Sequence, residues 1–71
     1  MYIAIAGSFE GLNQKSLAKI VGISPATMNR IVNQKQTCSE KTAYNIVKAV
    51  HENADIKYYF VKKEGIKKNG R

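Results

Sequence analysis

The sequence predicts a mainly α-helical fold, a compact bundle of about four short helices with a β-strand near the C-terminus. Three observations lead there. Residues 14–33, QKSLAKIVGISPATMNRIVN, carry two apolar stripes at helical spacing on either side of a Gly-Ile-Ser turn. A third stripe, Ala43, Ile46, Val47 and Val50, follows at the same period. Residues 55–61 then place aromatic and β-branched side chains on both alternating faces, which suits a strand better than an amphipathic helix.

In chain order, Tyr2, Ile3, Ala6 and Phe9 fit a short opening helix ended by Gly11. Residues 2–6 are also rich enough in strand formers to pair as an edge strand, but the helix is the expected form. Asn13 caps the next helix, whose apolar face is Leu17, Ile20 and Val21, and Gly22 ends it by accepting a left-handed backbone. Ser24 caps the helix after it. Pro25 sits at that helix's first position, where its missing N–H costs nothing, and Met28, Ile31 and Val32 form the buried stripe. Residues 33–36 are an exit loop. Thr37-Cys38-Ser39-Glu40 then matches a capping box for a helix that should finish near residues 51–53.

A lone strand at 55–61 leaves main-chain groups unpaired. Its partner is either the N-terminal segment or the same strand of a second subunit. Beyond it, residues 65–71 (GIKKNGR) are polar, basic and glycine-punctuated, the pattern of a mobile tail. The expected division is therefore a helical domain over residues 1–53, a strand region serving as core cover or dimer contact over 54–64, and a basic tail over 65–71.

At 71 residues the chain has apolar content for one core only, and a domain of this size hides only about 60% of its unfolded surface. Twelve Lys and Arg against five Asp and Glu give a net charge of +7, which selects polyanionic partners. No apolar run approaches the ~20 residues of a membrane span. Met1-Tyr2 opens without the basic flank and cleavage site of a secretory signal, so a cytoplasmic location is expected. Cys38 is the single cysteine, which excludes an internal disulfide and a thiolate zinc site.

Residues 14–33 also meet the demands of a helix-turn-helix, in which two helices meet steeply around a short turn. Ala18 is small where the helices approach, Gly22 supplies the turn backbone and Ile23 plugs the turn into the core. Leu17, Val21, Met28 and Ile31 form the wedge between the helices. Residues 10–18, EGLNQKSLA, followed by Val21-Gly22-Ile23-Ser24, resemble the helix 1 to helix 3 passage of the phage Cro and repressor (lambda-repressor-like) family of DNA-binding proteins. Arg30-Ile31-Val32-Asn33-Gln34 and then Ser39-Glu40-Lys41-Thr42 are similar to the headpiece of the lac repressor family, without any counterpart of its sugar-binding domain. Together the similarities cover residues 10–50.

The resemblance implies that residues 24–33 lie in the major groove while the first helix of the motif crosses above a phosphate strand. The spacing of the residues agrees. With Met28, Ile31 and Val32 facing inward, Ala26, Asn29, Arg30 and Asn33 fall on the outer side. Arg30 suits guanine O6 and N7, Asn29 or Asn33 suits the paired donor and acceptor of adenine, and Ala26 suits a thymine methyl. The competing role for Arg30 is a phosphate grip. Pro25 and Ala26 depart from the family pattern, which often has Gln at these positions.

Phosphate contacts are expected from Lys15, Thr27, Lys35 and Lys41, and from Gln14, which the resemblance places at the start of the first motif helix. Between residues 11 and 48 the basic side chains are Lys15, Lys19, Arg30, Lys35, Lys41 and Lys48, against Glu40 alone. Tyr58, Tyr59 and Phe60 admit core cover, a subunit interface or stacking on unpaired bases. The interface is preferred, with Ile56, Tyr58 and Phe60 as its contacts.

These readings predict a sequence-specific double-stranded DNA-binding protein, a small Cro-like transcriptional repressor acting as a homodimer on a palindromic operator. One alternative is a protein-interaction module, antitoxin-like or modulating a partner repressor, on the same scaffold. Another is an excisionase-like architectural DNA binder. No enzyme is expected: His51 has no second His and no nearby Cys, and Glu52 and Asp55 neighbour no nucleophile. No metal, cofactor, small-molecule ligand or membrane partner is expected.

Overall fold

In the computed structural model, which describes residues 1–63, three helices pack beside a two-stranded antiparallel sheet. The elements are β1 (Tyr2–Ala4), α1 (Gln14–Val21), α2 (Pro25–Val32), α3 (Glu40–Val50) and β2 (Phe60–Lys62), with a 3-10 turn at Ile56–Tyr58 before β2. The tail expected at 65–71 lies outside the described residues. Among the described residues the fold is mainly helical as expected, with three helices rather than about four.

The missing helix is the opening one. Gly7 sits at φ 81, a left-handed backbone that interrupts any helix running from residue 2 to residue 9. The segment finds better partners on both sides as a strand. Tyr2 N–H donates to the Cys38 carbonyl at 2.7 Å and Cys38 N–H donates back to Tyr2 at 2.9 Å, while β2 pairs along the other edge with Ile3 opposite Val61. The N-terminal segment, rather than a second subunit, thus supplies the strand partner left open by the sequence. Residues 6–12 form turns from which Phe9 drops into the core.

Caps set the helix boundaries. Asn13 Oδ1 accepts from Ser16 N–H at 3.0 Å to start α1. Ser24 Oγ accepts from Thr27 N–H at 3.1 Å to start α2, with Pro25 at the first helical position. α3 begins two residues later than the expected box. Ser39 is its cap and accepts from Thr42 N–H at 3.2 Å, because Cys38 is drawn into the bridge to Tyr2 and Thr37 cannot lead the helix. α1 ends at Gly22, φ 90, where Ile23 N–H reaches back to the Ala18 carbonyl at 3.0 Å.

A Cβ on Gly22 would meet nothing within 4 Å, so the constraint is backbone conformation alone. Gly22→Ala is therefore expected to cost about 1–2 kcal/mol, measured as a lowered thermal midpoint; an unchanged midpoint would contradict the left-handed turn.

The core gathers Leu17 and Ala18 of α1, Met28, Ile31 and Val32 of α2, and Ala43, Ile46 and Val47 of α3, closed by Ala4, Phe9, Cys38 and Phe60. Val21 and Ile23 pack against it half-buried, completing the helix-turn-helix wedge. Ile20, expected on the inner face of α1, is instead 67% exposed: Leu17 and Ala18 define that face, and Ile20 lies off it. Burial pushes the Cys38 thiol above its ordinary pKa, which keeps it protonated and unreactive.

The aromatic segment divides. Asp55 Oδ1 accepts from Lys57 N–H at 3.2 Å, turning residues 56–58 into a 3-10 turn where a continuous strand was expected, so the strand is confined to β2. Phe60 is 1% exposed, with its ring against Phe9 at 5.6 Å between centroids, and Phe9 also meets Tyr59 at 5.3 Å. A side chain sealed in its own core makes no subunit contact. The expectation for Phe60 is corrected accordingly, while Ile56 is half-buried against the core and Tyr58 is exposed.

Candidate nucleic-acid interface

With Met28, Ile31 and Val32 turned inward, α2 presents Ala26, Asn29 and Arg30 outward, and Asn33 follows at its C-terminal cap; all four are exposed. The polar members are held by neighbours. Asn29 Nδ2 donates to Gln14 Oε1 at 3.1 Å, tying α2 to the first residue of α1. That bond leaves Asn29 with its Oδ1 acceptor and a second Nδ2–H, the combination that adenine N6 and N7 require. Asn33 Nδ2 donates to the Asn29 carbonyl at 2.9 Å, so one of its two donors serves the end of the helix.

Arg30 is the most constrained. Its Nε–H donates to Gln36 Oε1 at 3.0 Å, and Nη2 lies 3.5 Å from Thr27 Oγ1. Thr27 Oγ1 in turn accepts from the Ser24 hydroxyl at 2.9 Å, so the expected phosphate contact keeps only its own O–H to offer. Gln36 escaped sequence reasoning altogether, because Gln34, Lys35 and Gln36 read as one uniform polar loop.

The loop owes its course to a helix ending of unusual composition. Lys35 N–H donates to the Arg30 carbonyl at 2.9 Å and Gln34 N–H to the Ile31 carbonyl at 3.2 Å, the paired bonds of a Schellman motif. Gln34 occupies its left-handed position at φ 62, where glycine or asparagine is usual, and its side-chain Nε2 donates to the Val32 carbonyl at 2.7 Å.

Lys15 lies beside Gln14 in the first turn of α1, Lys35 in the loop after α2 and Lys41 in the first turn of α3, each exposed. Among the described residues the one ion pair is Lys57 with Asp55 at 4.0 Å, so these three lysines and Arg30 have no carboxylate partner there. An open hollow lined by Gly7, Phe9, Glu10, Gln14, Val32 and Asn33 borders the same region.

The other chemically suggestive residues serve local structure. His51 Nδ1 accepts from Asn53 N–H at 3.1 Å in the turn after α3. Lys48 Nζ donates to the Glu52 carbonyl at 2.8 Å and lies 5.2 Å from the centre of the Tyr44 ring. Among the described residues no three His, Cys, Asp or Glu side chains gather into a set able to hold a metal ion, and no helix is long and apolar enough to cross a membrane. Comparison with protein-family models, curated proteins and solved structures found no match to this chain.

Proposed function

We propose that this chain is a sequence-specific double-stranded DNA-binding protein of the Cro-like kind, a cytoplasmic repressor without catalytic activity that occupies a palindromic operator as a homodimer. The observation that carries the reading is the exposed polar edge of α2, on which Asn29 and Arg30 are each fixed by a side chain from outside the helix. Donors held in place before binding lose less freedom on contact with base edges than free ones. Lys15, Lys35 and Lys41 supply sequence-independent attraction to phosphate, and a net charge of +7 adds a favourable field.

A twofold operator requires two α2 helices about 34–36 Å apart, in successive major grooves. The outer edge of β2 is the surface proposed to set that distance. Lys63 N–H bonds to Met1 and Ile5 N–H bonds to Tyr59, so the alternating residues Phe60 and Lys62 turn their main-chain groups away from β1. Exposed Tyr58 and Val61 flank that edge. Bound in this way, the dimer represses by blocking access of polymerase to the occupied site.

Selection from a pool of randomised duplex DNA tests the proposal. The native chain is expected to enrich a palindromic consensus with a guanine in each half-site. Arg30→Ala should cost about 1–3 kcal/mol and relax the preference at that guanine. A second reading, a protein-interaction module, draws on exposed Ile20 and Tyr44, which line a common hollow with Val21 and Ala49. Enrichment of no sequence at all would favour that module over the repressor.

A further inference from the structure

We infer that Gln36 is a positioning residue for base recognition, orienting Arg30 from the loop between α2 and α3. The inference rests on the DNA-reading role proposed for Arg30. An exposed arginine near the end of a helix ordinarily samples many rotamers, and each one frozen on binding costs affinity. Here Gln36 Oε1 accepts the Nε–H at 3.0 Å, while Nη2, on the same edge of the guanidinium as Nε–H, lies 3.5 Å from Thr27 Oγ1. A guanidinium has five N–H donors in one plane. Committing Nε and one Nη2–H leaves both hydrogens of Nη1 and one of Nη2, the terminal fork that matches guanine O6 and N7.

Gln36 therefore determines which part of the guanidinium can meet DNA. Without it, Nε–H is free to grip a phosphate instead, a contact that carries no sequence information. The strained turn serves the same end. Gln34 at φ 62 closes the Schellman motif that reverses the chain after α2, and two residues later Gln36 faces the helix it has just left. The bridge between Cys38 and Tyr2 pins the far side of the loop to β1, so Gln36 is anchored from both directions.

The test compares native, Arg30→Ala, Gln36→Ala and Gln36→Glu chains in selection from randomised duplex DNA, followed by titration on the selected duplex and on one with the guanine replaced. The native chain should prefer guanine at one position per half-site, and Arg30→Ala should lose that preference. Gln36→Ala is expected to keep the native thermal midpoint and the native salt dependence, because it removes neither core nor charge. Its guanine preference should fall about three- to tenfold. Gln36→Glu retains an acceptor for Nε–H and should hold the preference within about twofold of native, even as its added negative charge lowers overall affinity. A native-level preference in Gln36→Ala, or equal losses in the alanine and glutamate variants, would overturn the inference while leaving DNA reading by Arg30 intact. Absence of any guanine preference in the native chain would instead remove the base-reading role itself.

Discussion

Phe60→Ala is expected to lower stability by about 3–5 kcal/mol, the usual cost of emptying a fully buried aromatic site. The ring is 1% exposed, lies against Phe9 and belongs to the single core cluster, with Phe60 paired across the sheet to the buried Ala4. A domain of 71 residues has a total stability on the order of 4–10 kcal/mol, so the loss takes a large share of the whole. Thermal unfolding followed by circular dichroism should show the midpoint falling by more than about 10 °C. Tyr58→Ala, which removes a ring that is 67% exposed, should change stability by no more than about 0.5 kcal/mol. If Phe60→Ala instead melted like the native chain and altered only its oligomeric state, the ring would belong to an interface and the core described here would be wrong.

Raising the salt from about 50 to 200 mM is expected to weaken DNA binding on the order of a thousandfold. Lys15, Lys35 and Lys41 are exposed and have no carboxylate partner among the described residues. Two protomers bound as proposed would neutralise about six phosphates, each of which steepens the dependence of log affinity on log salt by about 0.9. A single protomer on DNA has half that slope and loses only about fortyfold over the same range. Titrations at four or five salt concentrations thus report the number of protomers bound as well as the presence of phosphate contacts. A response flat in salt would eliminate the electrostatic contribution on which the proposed function relies.

The parts of the fold that were legible in the sequence are those fixed by local chemistry. Asn13, Ser24 and Pro25 start their helices by hydrogen bonds and backbone restrictions that span three or four residues, and Gly22 ends α1 by its own φ. The inward positions of α2 follow from one helical period and hold for Met28, Ile31 and Val32. The opening strand was legible only as the alternative to a helix, because three residues are too few to separate a period of two from one of 3.6. Its partners are also far along the chain, at residues 38 and 60–62.

Phe60 and Tyr58 sit two apart in an aromatic run, and alternation cannot tell which of such neighbours the core selects. The 3-10 turn that separates their environments did leave a local trace in Asp55, whose side chain caps its own turn. At the candidate interface, the outward edge of α2 was readable from helical geometry. The bonds that hold it, Gln14 to Asn29 and Gln36 to Arg30, join different elements and depend on how helices and loop are placed in space.

The pairing of Ile3 with Val61 has a consequence for the order in which the molecule is made. The first strand emerges during synthesis about sixty residues before its partner, a wait of about 3–12 s at ordinary translation rates. Each helix needs no such delay, since its own hydrogen bonds span four residues and form within microseconds. The helices can thus turn before the sheet exists, and the pairing of β1 with β2 waits until Phe60, the last residue of the core to be made, has been added.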